Sequence, residues 1–134
     1  MADKPFIEQA PMCFACGPDN PIGLHIKFTL QDGMCTGSFT PGGNHVGFND
    51  TVHGGIIFSA LDDVMANCLY LQAIKAHTAR CEIRYRKPLQ VGQQISLRSR
   101  IEHKRKSLVV LTAEARLAEG DELVADCKAS FMCS

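Results

Sequence analysis

The sequence predicts an α+β domain in which one antiparallel sheet covers a single buried helix. Three observations carry this. One run of about eighteen residues from Gly54 has almost no polar face, the rest of the chain alternates polar and apolar residues with period two, and most links between those stretches are short turns. The 134 residues are the size of one domain, so residues 1–134 are expected to form a single unit.

The elements follow in order. Leu24, Ile26, Phe28 and Leu30 alternate with His25, Lys27 and Thr29, which predicts a first strand. Gln31-Asp32-Gly33 turns the chain into a second strand, roughly Met34 to Thr40, ended by Pro41-Gly42-Gly43-Asn44. An irregular segment leads to the helix, where Ile56, Ile57, Phe58, Ala60, Leu61, Val64, Met65, Cys68 and Leu69 wrap nearly the whole circumference. Then come Cys81–Tyr85, stopped by Pro88, and strands at about 95–102, 108–115 and 123–132. A sheet wrapped around one apolar helix leaves unpaired edges, which favours at least a dimer.

Composition narrows the function. Apolar residues make up 46% of the chain and charged residues 21%, ordinary for a globular protein, and no run reaches the roughly 18 apolar residues of a membrane span. The opening MADKPFIEQAPM lacks the apolar core and cleavage site of a signal peptide, and seven cysteines at irregular spacing suggest no disulfide framework. Together these favour a cytoplasmic protein with no membrane partner. Net charge is zero, yet ten of the 14 Lys and Arg residues lie between Lys75 and Lys106, against only Glu82 and Glu102. That asymmetry suggests an anionic ligand for one face; a solvated strand face is the plainer reading. Tyr85 is the only aromatic residue in this stretch, which argues against nucleic acid.

Chemistry concentrates in Val52-His53-Gly54-Gly55, followed by Asp62-Asp63. Two glycines opening a helix leave N–H groups that a ligand oxygen can approach closely, as an oxyanion hole requires; close packing against the sheet is the alternative. Asp62 and Asp63 lie two turns into an apolar helix and point about 100° apart, so one should reach a cavity and the other a structural partner. A carboxylate in a partly dry site suits a base or nucleophile, whereas two acids paired with the basic strands would be structural. Cys13-x-x-Cys16 could begin a zinc site, but no second cysteine pair at suitable spacing follows, and no metal is expected.

The run from His53 to Asp63 resembles the hotdog-fold acyl-CoA thioesterases, in the branch that resembles phenylacetyl-CoA thioesterases. Cys13-Phe14-Ala15-Cys16-Gly17-Pro18-Asp19-Asn20-Pro21-Ile22-Gly23-Leu24 and Arg84-Tyr85-Arg86-Lys87-Pro88, followed by Val91-Gly92, extend the resemblance along nearly the whole chain. It implies a hotdog fold and hydrolysis of acyl-CoA thioesters, in which Asp62 is the base or nucleophile and Gly54 or Gly55 supplies the oxyanion N–H. His53 belongs to the same motif, with fixing the turn before the helix as its simpler role. The site would lie between two protomers of a homodimer, or of a dimer of dimers, with no cofactor beyond the coenzyme A of the substrate. Asn49, Asp63 and Thr78 are expected near the substrate, and Arg84, Arg86, Lys87, Lys104, Arg105 and Lys106 at the phosphates. Phe58, Met65 and Leu69 would admit an aromatic or medium aliphatic acyl group. The chain departs from many relatives at Gly47, where an Asn or Gln is usual six residues before the histidine; Asn44, His45 or Asn49 could take its place. A non-catalytic hotdog module that binds acyl-CoA or another acyl ligand is the alternative function. A dehydratase of the same fold is disfavoured, because those enzymes usually place the catalytic histidine and acid in different motifs.

Overall fold

The structure, a computed structural model, describes residues 10–133; the expectation about a signal peptide rests largely on residues outside that range. Strands β1 (Phe28–Gln31) and β2 (Met34–Phe39) form a hairpin, followed by a 3-10 turn at Gly43–His45. A small pair, β3 (Val46–Phe48) and β4 (Thr51–Val52), leads into helix α1 (Gly54–Tyr70). Then come β5 (Ala76–Tyr85), β6 (Ile95–Arg105), β7 (Leu108–Leu117) and β8 (Leu123–Cys133). Six strands make one antiparallel sheet in the order β1-β2-β6-β7-β8-β5, and β3-β4 stand apart as a two-stranded ribbon.

The helix lies against one face of that sheet. Ala60, Leu61, Val64, Met65, Cys68 and Leu69 of α1 meet Ile95, Leu97, Leu111, Val124 and Phe131, all essentially excluded from solvent. Burying a side chain of this size is worth about 1.5–3 kcal/mol, so this interface dominates the stability of the fold. Met65 and Leu69, expected along an acyl pocket, belong to this core, while Phe58 is half-buried.

Two sequence expectations shift. The first strand begins at Phe28, because the chain around His25 adopts φ 54° and turns away from the sheet. Leu24 and Ile26 are buried as their alternation suggested, but their N–H groups donate to Phe14 O at 2.8 Å and Ala15 O at 2.9 Å. They clamp the cysteine-containing loop. At the other end, β5 starts five residues earlier than Cys81, and it pairs only with β8, leaving its outer edge open.

A β-bulge in β5 positions one side chain in particular. Thr78 pairs with Phe131 and Arg80 with Ser130, so one extra residue sits between them. Paired residues share a sheet face, and Phe131, Ala129 and Cys127 of β8 face the helix. Thr78, Cys81 and Ile83 opposite them therefore also face it, whereas regular alternation from Cys81 would have sent Thr78 outward.

Candidate active site

Helix α1 begins at a tightly specified turn. His53 is its N-cap, and its Nδ1 accepts a hydrogen bond from Gly55 N–H at 2.8 Å, so Nδ1 is the unprotonated ring nitrogen. On the other side of the same peptide unit, the Gly54 carbonyl accepts from the Tyr85 hydroxyl at 2.7 Å. The Gly54–Gly55 peptide is thus held at both its oxygen and its N–H. The Gly54 N–H carries no acceptor among the described residues, as expected for the first residue of a helix. The two glycines stay small for specific reasons. A Cβ at Gly54 would sit 3.3 Å from the Tyr85 ring, and one at Gly55 3.0 Å from the His53 ring.

Two turns further on, Asp62 is half-buried and its Oδ1 accepts from the Thr78 hydroxyl at 2.7 Å. Helix and edge strand meet here through two side chains, and the bulge described above supplies the aim.

Asp63 turns the other way, as the 100° step requires. It is 8% exposed and points into the loop of Cys13 and Cys16 rather than towards Thr78. Asn67 Nδ2 donates to its Oδ2 at 3.1 Å, and Cys13 Sγ lies 3.7 Å from its Oδ1. Burial pushes its pKa up; the Cys16, Cys13 and Asn67 hydrogen bonds pull it partly back, and the Asp62 charge adds to the rise. No Lys, Arg or His forms an ion pair with it among the described residues.

The basic residues separate into two groups. Arg84 pairs with Asp126 on the sheet face away from the helix, and Arg86 bridges Asp126 at 3.0 Å. Lys87 bridges Glu122 at 3.1 Å. Lys104, Arg105 and Lys106 occupy the β6–β7 hairpin and are exposed. Register places that hairpin level with Thr78: Thr78 pairs with Phe131, Phe131 with Val109, and Val109 with Lys104. Three strand spacings separate them, about 14 Å. Asn49 is exposed with φ 52°, and Gly47 packs its backbone against His53, where an added Cβ would lie 3.3 Å away.

Sequence reasoning missed two participants. Tyr85 was visible as a strand residue and as part of the Arg84–Pro88 run, with nothing to mark it as a contact of the helix start; its partner Gly54 lies 31 residues earlier. The proximity of Cys13, Cys16 and Asp63 joins segments about fifty residues apart, and only Cys-x-x-Cys-Gly signalled it.

A sheet wrapped on one helix, a glycine-opened helix start and an acid two turns later define a hotdog-fold protein. The family model for the thioesterase superfamily matches residues 49–124, and the chain belongs to that superfamily. Among solved structures it is similar to a hypothetical thioesterase with coenzyme A from Streptococcus pneumoniae, at 14% identity and TM-score 0.76, covering 81% of this chain and 85% of that one. The Escherichia coli PaaI protein from the phenylacetic acid degradation operon matches at 22% identity and TM-score 0.76, over 81% of this chain and 83% of its own. Zebrafish thioesterase superfamily member 2 matches at 13% identity and TM-score 0.80, over 96% of each chain. No curated protein matches. No helix among the described residues is long and apolar enough to cross a membrane.

Proposed function

We propose that this protein hydrolyses acyl-coenzyme A thioesters, with Asp62 as base or nucleophile and the Gly54 N–H as oxyanion donor. The observation that carries the reading is the pair of opposed constraints around the helix start and Asp62. Gly55 N–H is taken by His53, which leaves Gly54 N–H for a ligand oxygen at the positive end of the helix dipole. Asp62 is half-buried at the open edge of the sheet, and Thr78 orients it without neutralising it.

The chemistry then follows from charge. Attack on the thioester carbonyl moves negative charge onto its oxygen, where a preorganised N–H is worth most in a water-poor site. Asp62 either takes a proton from the attacking water, and the coenzyme A thiolate leaves as the free acid forms, or attacks the carbonyl itself, expelling the thiolate to give a mixed anhydride that water then hydrolyses to the acid and free Asp62.

One protomer is not enough for this. Gly54 and Asp62 are eight residues apart on one helix, about 12 Å along its axis. A reacting carbonyl must lie within about 3 Å of both the attacking group and the oxyanion donor. The Gly54 of one protomer must therefore meet the Asp62 of another. The ten-residue β5, unpaired on its outer edge and carrying Thr78, is the natural seam for a homodimer. Lys104, Arg105 and Lys106 are the favoured contacts for the coenzyme A phosphates, because they are exposed and, among the described residues, have none of the acidic partners that occupy Arg86 and Lys87.

Relatives support the assignment. The Streptococcus pneumoniae thioesterase was solved with coenzyme A, and also with alanine replacing an aspartate and, separately, a threonine, at positions 16 apart. Asp62 and Thr78 have the same separation. Membership of the phenylacetyl-CoA branch, where the acyl group would be aromatic, is proposed on the likeness to PaaI.

Thiol release from aryl- and alkyl-CoA thioesters, with wild type and Asp62→Asn side by side, tests the reading. Turnover that collapses in the variant while ligand binding persists is the expected result. Tight binding of the esters with no turnover in either protein would make this a binding module instead.

A further inference from the structure

The most unusual chemistry outside the catalytic region lies where the Cys13–Cys16 loop meets α1. Cys13 Sγ, Cys16 Sγ and a carboxylate oxygen of Asp63 all lie within 4.8 Å of one another. The loop is built to hold them. Gly17 N–H donates to Cys13 O at 2.8 Å, Asp19 N–H to Pro11 O at 2.9 Å, and Cys16 N–H points at Cys13 Sγ at 3.5 Å. A Cβ at Gly17 would lie 2.3 Å from Cys13 N and 2.5 Å from Pro11 O, so only glycine permits this close turn. Leu24 and Ile26 fasten the loop through their N–H groups, which donate to Phe14 O and Ala15 O.

From the helix, Asn67 Nδ2 reaches both the Asp63 carboxylate, at 3.1 Å, and Cys16 Sγ, at 3.8 Å. Among the described residues no cationic side chain pairs with this buried acid, and its neighbours are two thiols and an amide, a donor set that a cation can bridge.

We propose that Cys13, Cys16 and Asp63 bind one divalent zinc ion, which ties the N-terminal loop to α1. Two thiolates and a carboxylate suit zinc among the common divalent ions, and a fourth, solvent-derived ligand completes a tetrahedron on the side where Cys13 is partly exposed. Zinc takes the place of the thiol protons: both cysteines lose one to solvent, and Asp63 binds as carboxylate. Asn67 is the outer partner that orients the carboxylate. The ion faces away from Thr78, so its role is to hold structure rather than to activate the thioester.

The test uses the whole protein, reduced and stripped with chelator, then titrated with cobalt(II) as a visible stand-in. One cobalt per chain, with the intense near-ultraviolet band of thiolate–cobalt charge transfer, is expected, and zinc should displace it. Cys16→Ser should weaken binding by at least about 100-fold and Asn67→Ala by about 10-fold. Circular dichroism of each variant separates lost ligation from lost folding, and thermal unfolding of wild type should shift upward on adding zinc. Failure of reduced, folded wild type to bind cobalt stoichiometrically would overturn the proposal. So would a band that survives in the Cys13→Ser/Cys16→Ser protein. Neither result touches the thioesterase reading, which is measured by thiol release.

Discussion

The Tyr85 hydroxyl donates to the Gly54 carbonyl at 2.7 Å, so a strand residue fixes the first peptide of the helix from outside. Gly55 N–H is held in the same peptide unit by His53. The Gly54 N–H belongs to the preceding peptide, whose His53 carbonyl accepts from the Ile56 and Ile57 N–H groups at 3.0 and 3.4 Å, so both peptides that meet at the Gly54 Cα are held.

Removing that anchor should affect turnover more than binding. Tyr85→Phe is expected to lower kcat about fivefold, the worth of one neutral hydrogen bond, with KM nearly unchanged. Gly54→Ala should be worse, since its Cβ would sit 3.3 Å from the Tyr85 ring and displace it. Steady-state kinetics on one CoA ester checks both; a change in KM alone would assign Tyr85 to substrate binding instead.

Thr78 makes a separable contribution. Thr78→Ala frees the Asp62 carboxylate to rotate, and kcat should fall about tenfold, whereas Thr78→Ser keeps the hydroxyl and should recover most of it. Equal losses in the two variants would point to packing of the methyl group, not to the hydrogen bond.

The basic groups should also separate. Replacing Lys104, Arg105 and Lys106 together by alanine should raise KM for CoA esters and flatten its dependence on salt, because exposed charges act on a polyanion through screened attraction. Arg86→Ala should leave KM within about twofold, since Asp126 already neutralises that guanidinium on the face away from the helix. Measuring KM from low to moderate ionic strength decides between them.

Thiol chemistry gives a check on the fold itself. Burial, then the nearby Cys68 and Asp63, push Cys35 up to about 12. At pH 8 only about one Cys35 in ten thousand would be thiolate, so native protein should leave it unmodified by an alkylating reagent. Buried Cys68 and Cys127, both raised by desolvation, should be protected as well. Between roughly pH 9 and 12 the unfolded chain sheds a proton that folded Cys35 keeps, so its contribution makes stability fall as pH rises. Mass spectrometry after a short alkylation would find those three sites empty; rapid labelling of Cys35 would contradict the packing of α1 on β2.

Much of this was legible in the sequence for a physical reason. The buried helix shows as an apolar run, and the hairpin at Asp32-Gly33 shows in residues that tolerate the observed φ of 52° and 80°. His53, Gly54, Gly55, Asp62 and Asp63 lie within one contiguous stretch, so the run itself grouped them, while the choice of Asp62 over Asp63 came from the family resemblance. What escaped depended on distant pairing. The aim of Thr78 rests on a bulge that no residue type announces; the alternation of Cys81, Ile83 and Tyr85 with Glu82, Arg84 and Arg86 already set Tyr85 and Arg84 on opposite faces, but which of them meets the helix emerges only with the register of β5. Asp63 was legible as costly to bury, but not its destination. Leu24 and Ile26 misled because a clamp on a loop and a strand in a sheet call for the same alternation.

Adjacent on one helix, Asp62 and Asp63 cannot be adjusted independently. Side chains ride about 5–6 Å from the helix axis, so a roll of 10° carries each carboxylate about 1 Å. The contact from Thr78 to Asp62, 2.7 Å long, would be stretched beyond hydrogen-bonding range by a roll of about that size. The loop that grips Asp63 therefore acts, with the core beneath the helix, as a detent on an axle: it resists rolling of α1, and so steadies the angle at which Asp62 is presented about a quarter-turn away.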